Sequence, residues 1–589
     1  MLCNDRRGAR APIRIRVAKP FRVGAVMTAI SLFSLGTAAA QPIDHYAPVT
    51  AERLTNPGPN DWLMYRRTYN GWGYSPLDQI NRRNVRRLAP AWTLSTGIAE
   101  GHEGALIVND GIMFVTTPLN RMHAVDAATG DVLWSYQRQM PPDMNLIHPT
   151  NRGVALWGDR VYMGTSDAKL VAFEAKTGDM AWESTVADYR AGYYITMAPL
   201  AVNGKILIGV SGGERGIRGF VAAFDAETGE QVWKTYSIPG PGEPGHDSWP
   251  DDTWMHGGAP SWLTGTYDPA LNLTFWGTGN GGPWIGEARS GDNLYTNSVL
   301  AIDPEDGTLK GYHQYHWNGS WDWDEVDAPL VIDIERGDRT IPALVHPGRD
   351  GYLWILERKP ESIGFVDGYP YVYQNVFTGL DAVTGRPSYD MSHKPGMGKV
   401  AQFCPSFHGG KNWPPAAYNP VTGYLYIPAN DNLCSAMSGE EVDYVPGRGY
   451  TGYTDVTHSL RSGADHVGEL QAWDLKTNER VWTIEYGHFA NWGPLLTTAG
   501  RLIFSGGTAD RYFRAYDAKT GELLWKYRTN SGVLGVPVSF EVDGKQYVAV
   551  QSGWGVDSVG SQRRVDGYFN QETIVPQGGV VWVFALEDR

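Results

Sequence analysis

Ala124-Val125-Asp126-Ala127-Ala128-Thr129-Gly130, followed by Trp134, sets the repeat of this chain. An apolar strand end runs into Asp, a Thr-Gly turn reverses the chain, and a Trp stands on the outgoing strand. The unit returns as Phe173-Glu174-Ala175-Lys176-Thr177-Gly178 with Trp182, and as Phe224-Asp225-Ala226-Glu227-Thr228-Gly229 with Trp233. It returns again as Tyr516-Asp517-Ala518-Lys519-Thr520-Gly521 with Trp525, and more loosely at 302–307, 380–385 and 473–478, the last with Trp482. Each copy reads as a hairpin whose Gly or Asn supplies the positive φ of the turn, with the Trp packing from the outgoing strand. Short strands with turn signals at this density imply an all-β fold, and a long irregular repeat implies a β-propeller in which each blade buries its Trp against a neighbour. The apolar stretch 580–586 reads as a last strand that completes a blade begun near the N-terminus, closing the ring and removing open edges. Residues 41–589 are read as one propeller domain. Helix-length amphipathic runs are hard to find. The longer Gly/Pro-rich stretches 238–260, 281–297, 358–375, 438–466 and 555–578 are expected to be loops at the mouth.

Residues 1–40 read differently. An Arg-rich start, an apolar run from Val23 to Leu35 and the sequence Gly36-Thr37-Ala38-Ala39-Ala40 together predict a signal peptide cleaved after about Ala40. The run is too short to span a bilayer, and no later run is long enough, so no membrane span is expected. Loss of the leader removes seven basic residues and one acid, taking the net charge from −14 to −20. Such an acidic protein is a poor nucleic-acid binder and a plausible partner for a basic protein. Cys404 and Cys434 remain as an even pair in an oxidising compartment, which predicts a disulfide. No CxxCH is present, so no covalent c-type haem is expected.

The chemistry concentrates at Asn318-Gly319-Ser320-Trp321-Asp322-Trp323-Asp324-Glu325-Val326-Asp327, where four carboxylates and two tryptophans share ten residues. Read as an extended segment, Asp322 and Asp324 point one way and Trp321 and Trp323 the other. Two like charges so close imply a cation between them or a retained proton.

The mature chain resembles the pyrroloquinoline quinone (PQQ)-dependent alcohol dehydrogenases of the methanol and ethanol dehydrogenase group. The likeness is carried in order by Asp61-Trp62, Tyr74-Ser75-Pro76-Leu77, Ile80-Asn81, Asn84-Val85, Gly101-His102-Glu103-Gly104, Asn151-Arg152-Gly153, Ser211-Gly212-Gly213-Glu214, Gly277-Thr278-Gly279-Asn280 and Trp321-Asp322. The resemblance implies an eight-bladed propeller of four-stranded antiparallel blades with PQQ in its funnel. It implies Trp262 as the floor under the quinone, with Arg152, Thr196, Ser211, Gly212, Gly213 and Glu214 around the carboxylates and ring edge and Glu103 beside them. Asn412, Trp492 and Trp554 would line the remaining wall. Arg349 would bond the reactive carbonyl and Asp322 would be the catalytic base, taking the alcohol proton as hydride leaves for the quinone.

Glu214, Asn280 and Asp322 match the family's metal ligands, oxygen donors suited to a hard cation. Asp324 matches the extra carboxylate of the lanthanide-dependent branch, so either Ca2+ or a lanthanide is implied, with the lanthanide favoured. Cys404 and Cys434 match a structural pair of the family. The vicinal cysteines of many members are replaced by Leu146 and Ile147, which marks an atypical branch. The expected function is therefore a periplasmic enzyme oxidising a small-molecule alcohol to an aldehyde or ketone and passing electrons to a soluble cytochrome c, with a homodimer possible. One alternative keeps the chemistry and takes a bulky secondary or polycyclic alcohol or a polyol. A remote one is a non-catalytic propeller scaffold, which would share the repeats but not Glu214, Asn280, Asp322 and Arg349 together.

Overall fold

The computed structural model describes Ile43 and residues 45–587. The expected signal peptide lies outside the described residues. Among those described, eight antiparallel blades follow one another, seven of four strands and one, containing Leu495–Thr498 through Leu523–Arg528, that gains a fifth strand from Tyr74–Ser75. The C-terminal strand Val580–Leu586 lies between Leu88–Ser95 and Lys545–Ser552, so one blade takes strands from both ends of the chain and the ring closes as the sequence implies.

The repeat acts between blades, not only within them. Trp134 lays its ring against Gly178 in the turn of the next blade, and its Nε1 donates to Ala175 O at 2.9 Å. Trp182 does the same to Gly229 and Ala226 O, Trp233 to Gly307 and Pro304 O, and Trp92 to Gly130 and Ala127 O. A Cβ at Gly178 would stand 2.7 Å from the Trp134 ring, and the backbone there has φ +75°, so both contact and conformation require glycine. Each of these four Trp rings therefore packs on the neighbouring blade and satisfies its N–H there.

Segment 62–73 laces across one face of the ring. Trp62 bonds to Val108, Tyr69 to Ala201 and Tyr267, Asn70 and Trp72 to Val331, Trp72 to Tyr418, and Gly73 to Thr497, touching six of the eight blades.

Three of the expected mouth loops are structured. Asp557–Phe569 is a 13-residue α-helix, Ser362–Pro370 is the fourth strand of its blade, and Thr457–Leu460 joins a three-stranded sheet with Ala401–Phe403 and Leu433–Met437. The helix escapes sequence inspection because Ser558, Ser561, Gln562 and Asp566 make up most of its buried side. Val565, with Val559 and Phe569 beside it, is its main apolar anchor, and these are too few to mark a continuous apolar stripe. Cys404 and Cys434 are disulfide-bonded beside that small sheet.

Candidate active site

The funnel of the ring contains a cavity of ≈ 420 Å³, within the usual range for small-molecule sites. Eleven residues singled out from sequence line it: Glu103, Arg152, Thr196, Ser211, Gly212, Glu214, Trp262, Asp322, Asp324, Arg349 and Asn412. Gly213, Asn280, Trp492 and Trp554 stand behind this lining. Asn280 bonds to Asp324, Trp492 meets His408 edge-on at 5.5 Å, and Trp554 packs in the apolar cluster that also holds Trp413 and Trp262. Leu146 does not line the cavity, whereas Ile147 does.

One wall is cationic. The Arg152 guanidinium lies between the rings of Trp262 and Trp413, at 5.1 and 4.9 Å. It donates to Glu103 Oε2 at 2.6 Å and to Thr196 Oγ1 at 2.8 Å, and Thr196 is 3.2 Å from Ser211 Oγ. Burial raises the Glu103 carboxyl and Arg152 opposes that rise. Breaking a buried pair of this kind from one side typically costs about 3–5 kcal/mol, because the remaining charge is stranded.

The facing wall is acidic, and its geometry departs from the extended segment expected. Asp322 has φ 62°, in the left-handed region, so the chain turns there. Trp321 and Trp323 stack on each other at 5.0 Å and anchor the turn through Nε1 bonds to His393 O and Ser406 O, both at 2.9 Å. Asp322 and Asp324 are thereby held toward Arg349, at 3.8 and 3.6 Å. Glu325 faces away and accepts from the backbone N–H groups of Arg349 and Asp350 and contacts His346 Nε2 at 2.7 Å. The Arg349 backbone is thus fixed by the residue next to Asp324, and its Nη2 donates to Phe407 O at 3.0 Å.

Asp324 is heavily used. Its Oδ1 accepts from Asn280 N at 2.6 Å and its Oδ2 from Trp262 Nε1 at 2.8 Å. Burial pushes the Asp322 carboxyl well above its usual range; Arg349 works against this, while Asp324 and Glu214 add to it. Glu214 is raised by burial and by Asp324, with His148 opposing.

The donor set suits a hard cation. Glu214 Oε2 is buried without a partner. The Asn280 side-chain amide lies 2.6 Å from Asp324 Oδ1: turned one way it donates to that oxygen and accepts from Trp284 Nε1 at 3.1 Å, and turned the other it adds an oxygen to the carboxylates. The three carboxylates face one cavity without their oxygens all falling within 4.8 Å of one another; among the described residues the groups that do are Asp431, His466 and Glu469, and Asp465, His466 and Glu485. Arg152, with Nε unpartnered, and Thr196 and Ser211 supply donors for an anionic ligand seated on the Trp262 ring.

Sequence reasoning missed several lining residues. Trp413, the second face of the Arg152 sandwich, is one of 23 tryptophans and is distinguished only by following Asn412. Trp284 and Tyr453 stack at 4.7 Å across the mouth, joining segments far apart in the chain. Asp557 and Gly560 reach the cavity from one face of the unforeseen helix, as does Arg564, which the sequence puts in a mouth loop bearing on the substrate.

The family described as "PQQ: Glucose/ethanol/alcohol dehydrogenase, beta-propeller domain" matches residues 62–360 and 464–548. The chain is 38% identical to "Quinoprotein alcohol dehydrogenase PedH" of Pseudomonas putida, over 92% of this chain and 94% of that protein. It is 35% identical to the "Lanthanide-dependent methanol dehydrogenase" of Methylacidiphilum fumariolicum, over 92% of each. Among solved structures it is similar to "Europium-containing methanol dehydrogenase", with TM-score 0.85 and 34% identity over 91% of this chain and all of that one.

Proposed function

The chain belongs to the PQQ-dependent alcohol dehydrogenases, and on that footing we propose that it oxidises a small-molecule alcohol in the axial cavity with Asp322 as the base. It is an oxidoreductase acting on alcohols, with PQQ and a metal ion as its cofactors. One observation carries the assignment of roles: Arg152, Glu214, Asp322, Asp324 and Arg349 all line the cavity that the Trp262 ring lines, with Arg349 held against Asp322 and Asp324.

When bound, the quinone supplies a two-electron acceptor for hydride and the cation a Lewis acid beside it. The chain's own residues do the rest. Arg152, Thr196 and Ser211 hold carboxylates, Trp262 gives a flat floor, and Glu103 keeps Arg152 oriented. Arg349, fixed through its backbone by Glu325, directs its guanidinium at the space beside Asp322. Asp322 takes the hydroxyl proton of the alcohol; its raised affinity for protons suits acceptance, and charge compensation by a cation keeps it ionised beforehand. Glu214, Asn280, Asp322 and Asp324 are the proposed metal ligands, and the three carboxylates favour a trivalent lanthanide over Ca2+.

We further propose export to the periplasm, from the leader-like residues 1–40, and a soluble cytochrome c as acceptor, from the acidic balance of the mature chain. The test of the base is Asp322→Asn in protein reconstituted with PQQ and metal. Turnover with an artificial acceptor should fall by at least about 10²-fold while bound PQQ, read by absorbance, is retained. Near-normal turnover would move the base elsewhere, with Glu214 the next candidate.

A further inference from the structure

Between segment 62–73 and the blades lies a second, smaller chamber of ≈ 40 Å³ whose lining includes Tyr65, Arg66, His346, Lys411 and Asp327. Arg66 is only 6% exposed. Its Nη2 donates to Ala416 O and Leu495 O, both at 2.8 Å, while Nε and Nη1 are buried with no partner, and it has no carboxylate ion pair among the described residues. An unpaired buried guanidinium with two idle donors is costly unless something else supplies acceptors. Tyr65 Oη beside it is likewise buried and unpartnered. Lys411 is buried too, pairs with Asp327 and donates to Asn412 O at 2.9 Å, which leaves one of its three N–H groups over. Burial lowers the Lys411 ammonium, Glu325 opposes that shift, and the Arg66 charge adds to it.

Lys411 pairs with Asp327, and Glu325, behind His346, accepts from two backbone N–H groups and contacts His346 Nε2. Neither carboxylate reaches Arg66, whose Nε and Nη1 are left without acceptors. The volume exceeds that of a single water, for which about 10–15 Å³ suffices.

We propose that this chamber binds one small monovalent anion of halide size, held by Arg66 Nε and Nη1 with Tyr65 Oη and the spare Lys411 N–H. The anion sits between the lacing segment and the blades, against the residue preceding Asn412. It ties the lacing segment to the blades by supplying the acceptors that Arg66 lacks.

The test uses bromide as probe on the mature protein with its cofactors loaded. Crystals grown or soaked in sodium bromide should give an anomalous difference peak within hydrogen-bond reach of Arg66 Nε or Nη1. In solution, bromide or chloride should raise the melting midpoint saturably, by about 1–3 °C, over sodium gluconate at equal ionic strength. Arg66→Gln should abolish that halide-specific rise. Absence of the peak at near-saturating bromide, or an undiminished halide effect in Arg66→Gln, overturns the proposal. Should Arg66→Gln fail to fold, the anomalous map of the unaltered protein decides alone.

Discussion

Replacing Asp324 separates its structural role from its proposed charge role. Asp324→Ala removes two acceptors from buried donors, the Asn280 N–H and the Trp262 Nε1–H, now at 2.6 and 2.8 Å. A stranded buried donor costs about 1–3 kcal/mol, so the metal-free protein should lose about 2–6 kcal/mol, read as a shift in urea midpoint. Asp324→Asn keeps the shape and one acceptor and should lose about half as much. The charge term is measured differently. At an effective dielectric of 20, a unit charge about 4 Å away is worth about 4 kcal/mol, and a trivalent ion gains that once more than a divalent one does. If a quarter of it survives reorganisation, the carboxylate shifts preference toward the trivalent ion by about 1 kcal/mol, roughly fivefold. Metal-free protein reconstituted with PQQ and either La3+ or Ca2+ should therefore show at least equal activity with La3+. Both variants should lose that preference, although only Asp324→Ala is strongly destabilised. A La3+ to Ca2+ ratio unchanged in Asp324→Asn would refute the charge argument and leave Asp324 as an acceptor for Trp262 and Asn280.

Three other perturbations reach the scaffold. Trp134→Ala removes a ring that packs on Gly178 and bonds to Ala175 O, and should cost about 3–5 kcal/mol in a denaturant titration. Cys434→Ser opens the link to Cys404 across a separation of 30 residues and should cost roughly 3–4 kcal/mol by loop entropy, compared under non-reducing conditions. His102 is buried, with its nitrogens near Glu100 O and Thr96 Oγ1 at 2.7 and 2.9 Å, and burial pushes it down to about 4. Between about pH 6.5 and 4 the unfolded chain takes up a proton there and the folded one does not, so stability should fall as pH drops through that window, by about 3 kcal/mol for this group. His102→Gln should flatten that part of the stability–pH curve, and an unaltered slope would exclude His102 as its source.

Local chemistry made the fold legible in the sequence. The Asp, the Thr-Gly turn and the Trp of each unit lie within about a dozen residues, and each constrains backbone conformation or burial by itself. The strand at 580–586 carried its role in its apolarity, and it does pair with Leu88–Ser95. Residue types and order also picked out the members of the site: eleven of them line one cavity although they come from many blades. Their arrangement needed the tertiary structure. The turn at Asp322 depends on Trp321 and Trp323 finding carbonyls at His393 and Ser406, more than seventy residues away, and an alternating Trp-Asp pattern looks like a strand until those partners exist. The helix Asp557–Phe569 buries Ser558, Ser561, Gln562 and Asp566 along with Val565, so its apolar periodicity is weak. Arg66 is an ordinary surface cation on paper. Only the closing of the ring over segment 62–73 removes it from water, because burial is a property of what the rest of the chain places around a residue.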